Sequence, residues 1–349
     1  MSKLNEQVNE ILQDGIANNL IVRVGVGDEI LMDVLRTNED RLLNGQTLFD
    51  MASVTKIVST TMLALIAMDR GLLSPDDPVS RFFAVPKDKS VLTVRHLMTH
   101  TIGIGHKSLL PFAGAYSDVQ DYILSIPADI PIGSNVRYSC PGYILLGRIV
   151  EKVFGVSLDQ LTKAYVTAPL GMSSTTFLPD RARDIVNANP TPEACGLVND
   201  YNCRHLGGVC GNAGLYSNLE DMTRFVHAML RRGAPLFSRE VYDAATENLT
   251  PGMRESRGLG FLVVDDRYFQ TRALFPNGSI GHCGHTGQSV FWNVDSGLYV
   301  IVLSDATATV QKKYGAERYE LVMRMRADLH AAIREDLSLT HPTLVERSR

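Results

Sequence analysis

The sequence predicts a mixed α/β (α+β) fold: one sheet assembled from both ends of the chain around an inserted helical region. Short runs rich in β-branched, aromatic and aliphatic residues fall near residues 21–36 and again after residue 260. Between them, roughly 72–235 carries helical periodicity broken by loops. A last apolar stripe, Val322, Met325, Leu329 and Ile333, closes the chain as a helix. The economical arrangement is one domain spanning 1–349. Its sheet region comes from about 1–70 and 240–340, and its helical subdomain from about 72–235.

The elements follow in order. Met1 to Leu20 reads as a short amphipathic helix with Leu4, Val8, Ile11 and Leu12 on its apolar side. Ile21 to Val26 and Glu29 to Arg36 read as a hairpin turned by Gly27-Asp28. Gln46 to Phe49 leads into Met51-Ala52-Ser53-Val54-Thr55-Lys56 and an apolar run, a buried helix ending near Gly71. Thr93 is the N-cap of a helix that Gly103 and Gly105 end. The Pro/Gly/Asn-rich loop Pro127 to Asn135 leaves Tyr138 near the start of a helix over Gly142 to Phe154, stopped by Gly155. Another helix runs from Asn218 to Gly233. Strands are expected at Gly260–Val264, Arg267–Leu274, Ser289–Val294 and Leu298–Leu303, with Asp295-Ser296-Gly297 as a hairpin loop. Tyr319 to Ile333 is the closing helix.

Composition narrows the function. The chain has 349 residues, 45% hydrophobic and 21% charged, with a net charge of −4, which is the profile of an ordinary globular protein. Its basic residues are scattered, so no nucleic-acid partner is expected. No secretory leader and no apolar run of about 18 residues is read, so a cytoplasmic protein without a membrane partner is expected. Five cysteines, an odd number with no C-x-x-C pair, argue against a disulfide framework and a structural zinc site.

The chemistry centres on Ser53 and Lys56. Residues i and i+3 share a helical face, so Lys56 reaches the Ser53 hydroxyl within one turn. A serine is a poor nucleophile until a base takes its proton, and a lysine does so only when its pKa is depressed by burial or a nearby cation.

Further segments fall at matching intervals. They are Arg95-His96-Leu97-Met98-Thr99-His100-Thr101, Tyr138-Ser139-Cys140-Pro141-Gly142-Tyr143 with Leu145-Leu146-Gly147, Pro169 to Met172, Gly211 to Ser217, and Gly281 to Gly287. With Ser53-Val54-Thr55-Lys56, the chain resembles the serine β-lactamase/penicillin-binding-protein-like superfamily over roughly residues 20–335. It is most similar to the class C-like branch of DD-peptidases, family VIII carboxylesterases and D-amino-acid amidases. The resemblance implies an antiparallel sheet flanked by helices beside an all-helical subdomain, with the site in the groove between them. It implies Ser53 as nucleophile, Lys56 as its proton partner and Tyr138 as the second base.

The last motif fits two frames. We take His282-Cys283-Gly284, which makes the backbone N–H of His285 the oxyanion partner of that of Ser53; with His285-Thr286-Gly287 the partner is Gln288. Two departures bear on substrate. Cys140 stands where the family carries an asparagine that contacts substrate, and Cys283 replaces a threonine, so penicillin recognition is weakened and esters or simple amides are favoured. The expectation is a cofactor- and metal-independent serine hydrolase, esterase-like, acting on a small ester or amide. The rivals are an acyltransferase, a D-amino-acid amidase or peptidase, Cys140 as nucleophile, and a non-catalytic homologue. The loops Ile102–Asp118 and Ala128–Arg137 are expected to set substrate choice.

Overall fold

The computed structural model describes residues 2–112, 118–307 and 318–346, so residues 113–117 of the first substrate loop lie outside the described residues. Helix α1 (Lys3–Gln13) leads into strands β1 (Asn19–Val26) and β2 (Glu29–Thr37). A short strand β3 (Phe49–Asp50) precedes the helix that ends in α2 (Met62–Asp69). The middle of the chain holds α3 (Val94–Met98), α4 (Val119–Ser125), α5 (Cys140–Phe154), α6 (Leu158–Thr162), β4 (Thr176–Phe177), α7 (Tyr201–His205), β5 (Leu215–Ser217), α8 (Leu219–Leu230) and α9 (Arg239–Thr246). Strands β6 (Leu262–Val263), β7 (Ile280–Cys283), β8 (Ser289–Trp292) and β9 (Leu298–Ser304) then precede α10 (Arg318–Thr340) and α11 (Pro342–Glu346).

The two ends of the chain meet in one six-stranded antiparallel sheet of order β2-β1-β9-β8-β7-β6. Both faces are covered, and side chains alternate between them. Leu20, Val22 and Val24 of β1, with Val300 and Val302 of β9, pack beneath α1 and α10. Ile21, Ile301 and Leu303 point the other way, into the core shared with the helical region. This is why β9 reads as a continuous apolar run. The expected stripes Leu4, Val8, Ile11, Leu12 and Val322, Met325, Leu329, Ile333 all enter the first layer. The Asp336 carboxylate accepts from the N–H groups of Lys3 (2.8 Å) and Leu4 (2.9 Å), satisfying the open N-terminus of α1.

Three sequence expectations need correction. Arg267–Leu274 is not a strand but a series of turns. The Asp265 carboxylate accepts from the N–H of Arg267 (2.9 Å), and the N–H groups of Leu274 and Phe275 both bond to Thr271 O, so the backbone curls locally rather than pairing. The strand in this part of the sheet is β7, which carries the last motif. The helix capped by Thr93 stops at Met98, before the glycines, because His100 takes a left-handed φ of 58°. Finally, Ala52–Asp69 is an 18-residue window apolar enough to cross a membrane by length and composition; its residues are 83% buried in the fold, as suits a core helix.

Candidate active site

The site starts from a strained turn. Asp50 ends β3, and its carboxylate accepts from the N–H of Ala52 at 2.8 Å and of Asn199 at 2.7 Å. Ala52 is held at φ 44°, a left-handed conformation costing a residue with a Cβ roughly 1–2 kcal/mol. The chain then runs through a 3-10 turn (Ala52–Val54) and a π-helical turn (Lys56–Thr61) before becoming regular at α2. This places Ser53 half-buried at the groove and Lys56 fully buried behind it. Lys56 Nζ donates to Ser53 Oγ at 3.0 Å, to the backbone oxygen of Asn212 at 2.9 Å and to Cys140 Sγ at 3.6 Å.

The loop 210–214 clamps this helix. Thr60 Oγ1 donates to Gly211 O at 2.8 Å, and Leu215 N–H donates to Thr55 Oγ1 at 3.1 Å. A Cβ on Gly211 would lie 2.2 Å from Tyr143 O, so glycine is needed for the loop to reach α5. Asn212 is fixed in turn by its Nδ2 donating to Asp200 Oδ1 at 3.1 Å.

Helix α5 supplies the second part of this wall. Ser139 is its N-cap, its hydroxyl accepting from Gly142 N–H at 3.1 Å, so Tyr138 sits just before the helix and Cys140 at its first turn. His100 Nδ1 accepts from Ser139 N–H at 3.1 Å, and its ring lies 4.4 Å from that of Tyr138. Lys56 Nζ is 5.0 Å and the Arg257 guanidinium 5.8 Å from the Tyr138 ring, so two cations flank the phenol. Arg257 is itself held by the Glu255 carboxylate and is buried.

Strand β7 is the opposite wall. His282 is buried with its ring 6.2 Å from Tyr138, and its Nδ1 donates to Cys283 O at 2.8 Å. A Cβ on Gly284 would lie 2.8 Å from Met51 O, so the end of β7 abuts the residues just before Ser53. From α10, buried Arg326 donates to Gly284 O and fixes that corner. The remaining sequence-predicted residues point elsewhere. The Cys283 thiol meets Tyr268 Oη at 3.2 Å, on the sheet face opposite His282. The His285 ring is exposed and stacks on Tyr319 at 6.4 Å. The Gln288 side chain is consumed inside the sheet, donating to Asp50 O and accepting from Ser304 N–H at 3.1 Å.

The electrostatics differ from the sequence argument. Burial disfavours the Lys56 ammonium, but the negative charge available at Cys140 and Tyr138 outweighs it, and the pKa is held above the ordinary lysine value rather than depressed. Burial raises Tyr138 against the opposing pull of Lys56. Cys140 is lowered: burial works against its thiolate, and Lys56 and His106 prevail. Burial, with Arg257 and Lys56 nearby, holds His282 and His100 well below the usual histidine range, so both rings are neutral.

Sequence reasoning did not single out His106, Asn212, Arg257 or Arg326. His106 lay in the first substrate loop and Asn212 in the Gly211–Ser217 segment, whereas Arg257 and Arg326 lay in no motif or substrate loop singled out. Among the described residues, no group of three His, Cys, Asp or Glu side chains is placed to hold a metal ion. A cavity of about 440 Å³ lies elsewhere, between α1, β2 and the end of α10, away from Ser53 and Lys56.

The family model for Beta-lactamase matches residues 15–323. The chain belongs to the beta-lactamase family. It is 29% identical over 303 residues to an Escherichia coli O157:H7 protein provisionally named a D-alanyl-D-alanine carboxypeptidase, an alignment covering 74% of this chain and 69% of that one. It is 29% identical over 318 residues to esterase EstB of Burkholderia gladioli, covering 76% and 79%. Among solved structures, EstCE1, a hydrolase with promiscuous acyltransferase activity, superposes with a TM-score of 0.71 at 20% identity, covering 93% of this chain and 97% of that one. That last likeness concerns the fold alone. The protein is thus a family member with the β-lactamase/transpeptidase architecture, and an enzyme of the serine-hydrolase type.

Proposed function

We propose that this serine hydrolase cleaves a small carboxylic ester through an acyl-enzyme on Ser53, with simple amides as poorer substrates. The observation that carries the reading is the half-buried Ser53 Oγ 3.0 Å from a fully buried Lys56 that also contacts Cys140. Ser53 attacks the carbonyl. Its proton enters the cluster formed by Lys56, Tyr138 and Cys140, which must first be one proton short of full protonation. The lowered Cys140 is the site where that deficit rests, and Lys56 passes the proton on. The backbone N–H groups of Ser53 and His285 hold the oxyanion, since Gly284 brings the end of β7 against the Ser53 turn. Tyr138, contacting both Ser53 and Lys56, then protonates the leaving group.

Ester over peptide is favoured by Cys140. A thiol paired with Lys56 presents no amide to a substrate acylamino group. EstB, named an esterase, supports this side, and the carboxypeptidase name of the Escherichia coli relative supports the other. Intact-protein mass spectrometry after exposure to a p-nitrophenyl acyl ester, or separately to a penicillin, tests it. The expected result is nitrophenol release with an acyl adduct on Ser53, absent from Ser53→Ala, and no penicillin adduct. Turnover retained by Ser53→Ala refutes the nucleophile, and a long-lived penicillin adduct refutes the esterase reading in favour of a peptidase.

A further inference from the structure

All five cysteines are free thiols, in unlike surroundings. Cys283 meets a phenol, Cys203 donates to Ala213 O at 3.2 Å and lies beside Cys210, and Cys195 faces Ile185 O at 3.8 Å. These partners are all uncharged. Cys140 instead sits between two basic side chains. Lys56 Nζ donates to its sulfur at 3.6 Å, and His106, exposed at the rim of the groove, shares a hydrogen bond with the thiol. The same Lys56 ammonium is 3.0 Å from Ser53 Oγ, so the sulfur and the nucleophilic oxygen depend on one cation. Thiolates, not thiols, react, and nearby cations favour the thiolate. At Cys140 burial opposes the thiolate and the two neighbours prevail, whereas at Cys195 burial prevails over the pull of Arg41 and Arg181.

We propose that Cys140 is a peroxide-reactive thiol whose oxidation to a sulfenic acid reversibly silences Ser53. The silencing rests on the reading of Ser53 as nucleophile given above; the oxidation does not. The Cys140 thiolate attacks one oxygen of hydrogen peroxide. The S–O bond forms, the O–O bond breaks, and the departing hydroxide takes a proton from His106 and leaves as water. Sulfur loses two electrons and the peroxide gains them. A thiol reductant in twofold amount returns the thiol, releasing water and its own disulfide. Oxidation removes the negative partner of Lys56 and adds an oxygen that competes with Ser53 Oγ for the ammonium.

The proposal opposes what exposure alone would give. Cys140 is 3% exposed, whereas Cys195 and Cys283 are half-buried, so access favours the latter two. The test uses the full chain, freed of reductant and treated with dilute hydrogen peroxide for increasing times. Samples are quenched and alkylated in denaturant, so that peptide mass spectrometry reads each remaining thiol whatever its burial. Active sites are counted in parallel by labelling Ser53 with a fluorophosphonate. Cys140 is expected to gain one oxygen about tenfold faster than Cys195 or Cys283, Ser53 labelling to fall in step, and dithiothreitol to restore both. His106→Gln is expected to slow the Cys140 reaction alone.

Oxidation of Cys195 or Cys283 ahead of Cys140 overturns the proposal. So does Ser53 labelling that continues at its untreated rate once Cys140 is oxidised. Failure of Ser53 to label before any peroxide is added is a different result: it refutes the nucleophile and hence the silencing, and the order of cysteine oxidation then decides the thiol chemistry separately.

Discussion

The two walls of the groove are built on opposite principles. On the helical wall, Lys56 donates to Cys140 and lies over the Tyr138 ring; burial shifts all three groups, Cys140 and Tyr138 hold Lys56 up, and Lys56 pulls both of them down. On the strand wall His282 is neutral, Gln288 is locked between Asp50 O and Ser304 N–H, and the glycine at 284 packs against Met51 and Ala52, just before Ser53. One wall carries charge and the other is neutral. The difference follows from burial. A buried ammonium is tolerated only with several acceptors, and Lys56 has three, whereas a sheet already spends its backbone groups on neighbours and tolerates little charge.

Breaking the charged wall gives the largest effect. Lys56→Met keeps volume and removes the charge, so turnover of the ester is expected to fall at least about 10³-fold, and the melting temperature to fall as well, because Asn212 O and the Cys140 sulfur lose their buried partner. Ester turnover retained within about tenfold would show that Lys56 is chiefly structural. Tyr138→Phe comes next, with kcat down about 10²–10⁴-fold and fluorophosphonate labelling of Ser53 slowed less than turnover. Equal slowing of both would remove Tyr138 from the leaving-group step.

The strand wall should answer to shape instead. Gly284→Ala places a Cβ 2.8 Å from Met51 O, so the end of β7 has to move away from the Ser53 turn. A loss of about 1–3 kcal/mol in urea unfolding is expected, with kcat/KM lowered more than tenfold. Unchanged kinetics would mean that this corner does not hold the oxyanion. The smallest effect belongs to His282→Gln. His282 is held neutral far below pH 6.5, so its protonated form is unpopulated at neutral pH. The variant is expected to lose less than about tenfold in kcat and to keep the wild-type pH profile between pH 6 and 8. An acid limb that vanishes with His282 would make it a proton carrier and erase the contrast between the walls.

Much of this was legible in the linear chain. The apolar stripes of α1 and α10, the hairpin at Gly27-Asp28, the Gly155 stop of α5 and the Ser53–Lys56 spacing are local patterns, set by helix and strand periods that act over a few residues. The two secondary-structure failures were also local in cause. Arg267–Leu274 has strand-like composition, but the Asp265 side chain bends it into turns, and His100 stops α3 by a backbone angle that composition does not encode.

What sequence alone determined, then, is which residues form the periodic elements and which motif residues stand at helical spacing, since those depend on near neighbours along the chain. What only tertiary structure decided is the charge state of the site and the identity of its far partners. Lys56 is held high by Cys140, 84 positions away, and bonded by the backbone of Asn212, 156 positions away. Arg257 reaches Tyr138 from another segment of the chain, and Arg326 fixes Gly284 from 42 positions away. Electrostatic energy depends on distance and burial in space, and neither is written in the spacing of residues along the chain.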